Sequence, residues 1–155
     1  MAGAEAVAIT SMGGHFCVAE FETVSPLPIL NAIPAIDKAI RQRGSRTLGI
    51  LGTNVVMRTR LHGGVPSSRI VPPRATISKR STRPSYAEMA AAARVTEAQR
   101  GVFFAVGQRL CREQGAEAIL GGTDLFLAFD GRDAGFPVID CAASHLDPNY
   151  QASIA

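Results

Sequence analysis

Two short stretches carry side chains that could move a proton near a carboxylate: Ser11-Met12-Gly13-Gly14-His15, with Cys17 two positions on, and Gly121-Gly122-Thr123-Asp124. In the first, a serine beside a histidine could relay a proton, and Cys17 could supply a thiol. In the second, Thr123 offers a hydroxyl and Asp124 a carboxylate. A third stretch, Gly52-Thr53-Asn54, joins an apolar run to a helix start, and its amides and hydroxyl suit a carboxylate or phosphate. Cys141, directly after Asp140, is a second candidate thiol, and His145 follows it. Each residue also has a structural alternative. Thr53, Asn54, Thr123 and Asp124 could cap helices, His15 and His145 could be structural donors, and the cysteines could be small buried residues.

The elements that must position these residues are legible as a repeat. Gly3-Ala4-Glu5-Ala6-Val7-Ala8-Ile9 and Gly115-Ala116-Glu117-Ala118-Ile119-Leu120 resemble each other, and each runs into small and hydroxyl residues. Each is followed by a proline-opened apolar run, Pro26 to Asn31 and Phe136 to Asp140. Val7 to Thr10, Thr47 to Leu51, Ile70-Val71, Ala118 to Leu120 and Phe136 to Ile139 read as buried strands. Ile36, Ala39 and Ile40 share a helical face ended by Gly44. Thr96 and Gln99 form a capping box opening a helix with Phe103, Val106 and Leu110 on one stripe and Gly115 as terminator. A short helix is expected from Leu125 to Phe129 and an alanine-rich one from Tyr86 to Arg94. Arg74 to Ser85 is polar, basic and without period, which predicts a loop or disordered segment. Buried strands alternating with helices predict an α/β fold with parallel sheets and flanking helices, and the repeat predicts two pseudo-symmetric lobes facing a cleft. The expected division is a partial first lobe over 1–44, a second lobe over 45–135 with a loop at 74–86, and a return to the first lobe over 136–155.

Of 16 basic residues, eleven lie between Lys38 and Ala87, where none of the 13 acidic residues falls. Such a division fits a basic middle facing acidic flanks, within one molecule or across a homodimer. An anion-binding or nucleic-acid-binding surface over 38–83 is the alternative, but no reader motif accompanies it and aromatic residues are only 6% of the chain. No run approaches the roughly 20 apolar residues of a membrane span. The start lacks a basic secretory leader, and Cys17, Cys111 and Cys141 have neither zinc-ligand nor CxxC spacing. A cytoplasmic chain with reduced thiols and no metal is expected.

From about Val7 to His145 the sequence resembles the cofactor-independent aspartate/glutamate racemase superfamily. The resemblance rests on four pieces in family order: Ile9 to His15, Leu48-Gly49-Ile50-Leu51-Gly52-Thr53, Ile119-Leu120-Gly121-Gly122-Thr123-Asp124-Leu125, and Pro137-Val138-Ile139-Asp140 with His145 after it. It implies two lobes that each present one acid/base group to a shared substrate, so that an α-proton leaves one face of a carbon and returns to the other. It implies no cofactor and a small amino acid or related carboxylate as substrate. In the family the two groups are usually cysteines. Here Ser11 stands at the first of those positions and Gly122 at the second, while the internal repeat sets Ser11 opposite Thr123. The residues the resemblance assigns to proton transfer are Ser11, His15, Cys17, Gly122, Thr123 and Asp124. It assigns substrate binding to Gly13, Gly14, Thr53, Asn54, Cys141 and His145.

The family's first lobe begins with strand and helix units that have no counterpart before Val7. An incomplete first lobe is therefore expected, with exposed apolar edges that favour a homo-oligomer. A relative without turnover that binds a carboxylate or a partner subunit is the second reading.

Overall fold

The computed structural model describes residues 3–74 and 93–146. The loop expected from Arg74 to Ser85 and the helix expected from Tyr86 to Arg94 lie outside them, except for Arg74, Ala93 and Arg94. The described residues form two sheets in which every strand pair is parallel.

The larger sheet has four strands in the order β4-β3-β5-β6: β3 is Thr47–Leu51, β4 Arg69–Val71, β5 Ala118–Gly121 and β6 Val138–Asp140. Its central strands are apolar without alternation because both faces are covered. Leu48, Ile50, Ala118, Leu120 and Ile139 pack with Ile33, Ile36 and Ile40 of α2 (Ala32–Arg43), with Val56 and Met57 of α3 (Asn54–Arg58), and with Met12 and Leu61. On the opposite face Leu51, Val71 and Ile119 pack with Phe103, Val106 and Leu110 of α4 (Glu97–Gln114) and with Ala128 and Phe129 of α5 (Phe126–Phe129).

The helix boundaries follow from the residues that close them. Asn31 opens α2 by accepting from the Ile33 amide at 3.0 Å, and Gly44 ends it in the left-handed region at φ 72°. The capping box of α4 is complete, with the Gln99 amide donating to Thr96 Oγ1 at 3.3 Å and the Thr96 amide donating to Gln99 Oε1 at 2.9 Å. Gly115 terminates that helix at φ 68°.

Gly49 sits at the middle of β3, where an added Cβ would stand 2.5 Å from Ile119 Cδ1 and 3.2 Å from Leu110 Cβ. Helix α4 can approach the sheet this closely because position 49 has no side chain. Gly49→Ala is therefore expected to destabilise the fold by about 1–3 kcal/mol through overpacking, measured by urea denaturation.

The smaller sheet is slighter than the sequence predicts. β1 is Val7–Ala8 and β2 is Ile29–Leu30, so each strand contributes two residues. The chain leaves β1 because Ser11 turns it into a 3-10 helix, Met12–Cys17, instead of an open glycine loop. Prolines at 26 and 28 shorten β2, since each lacks an amide to pair; the Pro28 carbonyl still accepts from the Val7 amide at 2.9 Å. Helix α1 (Val18–Val24) buries none of its residues. Phe16 is 67% exposed and Val24 76% exposed, beside a sheet of two strands.

The chain after β6 connects the two sheets. β6 pairs with β5 in the larger sheet, and residues 141–146 then form a helix, α6, that brings His145 to the Leu30 backbone of β2. No described helix is long and apolar enough to cross a membrane.

Candidate functional site

The register of the larger sheet sets Leu51, Gly121 and Asp140 side by side at the carboxyl ends of their strands. The three segments that follow, 52–54, 122–124 and the start of α6, therefore emerge together, as ligand-binding loops do in open parallel sheets. Gly122 donates its amide to the Leu51 carbonyl at 2.9 Å. A Cβ on Gly122 would lie 3.4 Å from Gly52 Cα, so the two glycine turns touch backbone to backbone.

The first stretch reaches the same place from the smaller sheet. A Cβ on Gly13 would lie 3.4 Å from Ser11 Oγ and 3.9 Å from Thr53 Oγ1. Ser11, Gly13 and Thr53 thus stand together, with Gly122 behind Gly52. Ser11 is exposed, and its hydroxyl accepts from the Gly13 amide at 3.2 Å. Thr53 caps α3 by accepting from the Val56 amide at 3.3 Å, which leaves its own hydroxyl proton to donate. Asn54 and Asp124 are exposed and Thr123 is half-buried. Gly14 lies against Ile9, where a Cβ would come within 2.8 Å of a methyl group, so this position carries the loop's close fold.

His15 does not face this cleft as a free base. Its ring is 2% exposed, its Nδ1 donates to the Ser11 carbonyl at 2.9 Å, and its Nε2 accepts from the Ala32 amide at 3.2 Å. The two backbone partners fix a neutral ring protonated at Nδ1. Burial lowers its pKa, the Ser11 carbonyl opposes that shift, and charge on His145 and His62 adds to it. The expected proton carrier is instead the joint between the first loop and the N-terminus of α2.

Cys17 is half-buried at the far end of the 3-10 helix, its thiol directed back to the Gly14 carbonyl at 3.8 Å. Cys141 is fully buried in the core, and burial, with Asp140 next to it, pushes its thiol far above the ordinary range. It therefore serves packing and presents no thiol to the cleft. His145 is 4% exposed, its ring meets that of His15 edge to face with centroids 6.0 Å apart, and its Nε2 has no hydrogen-bond partner. Burial lowers the pKa of this ring as well, while the Leu30 backbone opposes the shift.

Two residues outside the expected set also shape the site. Asp140 Oδ1 accepts from the Ala142 and Ala143 amides at 2.7 and 3.3 Å, opening α6 and so placing His145. An acid followed by small residues after a strand is a capping signal that could have identified it. His62 donates from Nε2 to the Met12 carbonyl at 3.1 Å across 50 residues of sequence, and no sequence pattern announces that contact. Among the described residues no group of His, Cys, Asp and Glu could hold a metal ion.

Within the basic stretch, Arg41 pairs with the buried Asp37 at 3.2 Å and Arg43 donates to the Val138 carbonyl at 2.8 Å. Part of its charge is thereby engaged within the fold.

This arrangement of sheets and loops has known counterparts. A provisional Asp/Glu racemase from Yersinia pestis is 25% identical, with a TM-score of 0.70 over 97% of this chain and 68% of the other. An aspartate racemase homologue from Pyrococcus horikoshii is 23% identical, with a TM-score of 0.78 over 98% of this chain and 68% of its own. The aspartate racemase of Picrophilus torridus is 19% identical, with a TM-score of 0.74 over 97% and 63% of the two chains. No curated protein matches the sequence. The sequence model of the Asp/Glu/hydantoin racemases matches residues 1–147. With its parallel sheets and the meeting of its three loops, the chain belongs to the Asp/Glu/hydantoin racemase family.

Proposed function

We propose that the cleft bounded by Ser11, Gly13, Thr53 and Gly122 binds a small amino acid or related carboxylate and moves the proton on its α-carbon without a cofactor. The observation that carries this reading is the meeting of the three loops: Thr53 Oγ1 lies 3.9 Å from where a Gly13 Cβ would stand, and Gly122 lies against Gly52. The Gly13 and Gly14 amides are taken by Ser11 Oγ and the Ser11 carbonyl, so a carboxylate would be held by the Thr53 hydroxyl and the neighbouring Asn54, with its α-carbon between the first loop and the 122–124 turn. Ser11 then stands on one side, with Thr123 and Asp124 on the other. Proton removal on one side and return on the other inverts the centre, and the Thr53 hydroxyl donates to the negative charge that develops on the carboxylate.

A second reading, carboxylate binding without turnover, draws on a specific observation. A serine hydroxyl is a weak base at neutral pH, Gly122 offers no side chain, and both ring nitrogens of His15 are taken by backbone groups. Incubation with L-aspartate or L-glutamate in deuterated water, followed by proton NMR, separates the two. Loss of the α-proton signal supports the catalytic reading. A raised melting temperature with the α-proton signal retained selects binding alone.

Exposed Phe16, Phe21, Val24 and Leu146 fit a homo-oligomer covering the smaller sheet. The three free thiols fit a cytoplasmic location.

A further inference from the structure

Arg60, Leu61, His62 and Gly63 have positive φ in succession, at 52°, 57°, 58° and 69°. Together they make a turn of left-handed backbone, which crowds Cβ against the following carbonyl at every residue except glycine. Such strain persists only where the surroundings over-determine it. The contacts that hold it are specific. Leu61 is completely buried in the core, Gly64 packs so closely on Ile33 that a Cβ would collide with its methyl group, and His62 is turned onto the first loop. The His62 amide donates to Thr59 Oγ1 at 3.0 Å, and its Nδ1 lies 3.1 Å from the same oxygen. Nε2 then donates to the Met12 carbonyl at 3.1 Å.

That carbonyl belongs to the residue between Ser11 and Gly13, which face Thr53. Met12's side chain packs in the core with Val56 and Met57 of α3, and His15 ties the loop to α2, but neither of these contacts holds the Met12 carbonyl. The His62 bond does, so it spans from α3, on the larger sheet's side of the cleft, to the loop on the other.

We propose that His62 is a positioning residue: by donating to the Met12 carbonyl it holds Ser11 and Gly13 at a fixed separation from Thr53. Its consequence for turnover rests on the α-proton chemistry proposed for this cleft, whereas the strut itself does not.

His62→Gln keeps a donor near the place of Nε2. His62→Gly removes the donor while relieving the positive φ, which separates the strut from a merely structural role. The Gly14 amide, bonded to the Ser11 carbonyl at 3.0 Å, reports opening of the loop, and the Leu120 amide in β5 reports global unfolding. Hydrogen exchange followed by NMR is expected to show Gly14 exchanging at least tenfold faster in His62→Gly, with Leu120 unchanged and the melting temperature within about 2 °C of the wild type. His62→Gln is expected to stay within twofold at Gly14. For α-proton exchange, His62→Gly is expected to lower kcat at least tenfold with KM within threefold, and His62→Gln to recover most of the loss. Unchanged Gly14 exchange in His62→Gly, or His62→Gln behaving like His62→Gly, overturns the strut. A wild type that exchanges no α-proton defeats the catalytic reading, and the amide exchange then decides the strut by itself.

Discussion

The double variant Ser11→Cys, Gly122→Cys is expected to exchange the α-proton of aspartate or glutamate at least a hundredfold faster than the wild type. Both substitutions are allowed by the local backbone. Ser11 has φ −102° and ψ 131°, and a cysteine replaces its hydroxyl with a thiol at nearly the same place. Gly122 has φ −59° and ψ 160°, an extended conformation open to any L-residue. A Cβ there would lie 3.4 Å from Gly52 Cα and 3.5 Å from the Leu51 carbonyl oxygen, which is van der Waals contact without overlap. Thiols are far better acid/base groups than a hydroxyl or a bare glycine near neutral pH. A positioned acid/base group contributes about 10²–10⁴-fold. Each single variant supplies one side of the carbon only, so it should exchange the proton with retention and invert the centre at least tenfold more slowly than the double variant, read by chiral chromatography. Proton NMR in deuterated water measures all three, with circular dichroism as the control for folding. A folded double variant no faster than the wild type would show that positions 11 and 122 do not flank one carbon.

What made those two positions identifiable was the part of the chain where local signals and packing agree. Thr47 to Leu51 is short and largely apolar, it is flanked by Arg46 and by a Gly-Thr-Asn turn, and its observed limits match the expected ones. Thr96, Gln99 and Gly115 carried enough capping chemistry to mark both ends of α4. The smaller sheet was less legible, because its two-residue strands bury little and their ends are set by contacts instead of pattern. Ser11 to His15 reads as an open loop, since two glycines and a hydroxyl are loop residues; the buried Met12 and the two bonds of His15 wind it into a 3-10 helix. The left-handed run from Arg60 to His62 contradicts the intrinsic preference of all three residues, so it arises from Leu61 burial and the His62 bond and could not be read locally. His15 shows the same limit at the site itself. Its type suggested proton transfer, whereas both of its nitrogens serve backbone groups 4 and 17 residues away.

Those two bonds make acid and the loss of His15 the most damaging changes short of the core. The Ala32 amide is buried and donates to His15 Nε2, so protonating that nitrogen removes its acceptor and places charge beside His145. The folded-state pKa values of His15 and His145 both lie below the ordinary 6.5. Below pH 6.5 the unfolded chain therefore takes up protons that the folded one resists, and stability falls as the pH drops, until the lowered folded-state values are reached. The melting temperature is expected to be highest above pH 7 and to decline steadily between about pH 6.5 and 5, a window set by the ordinary histidine pKa. His15→Ala removes the acceptor at every pH, leaving the Ala32 amide unsatisfied and a cavity beside His145. A loss of about 2–4 kcal/mol is expected, from one orphaned buried donor, one lost carbonyl bond and the void. The variant should also lose part of the acid sensitivity, because one of the two resisting rings is gone. Urea denaturation at pH 7.5 and pH 5.5 reads both effects at once. If the wild type and His15→Ala lose the same stability between those pH values, His15 does not stay neutral in the folded protein, and its bond from Ala32 does not define the loop.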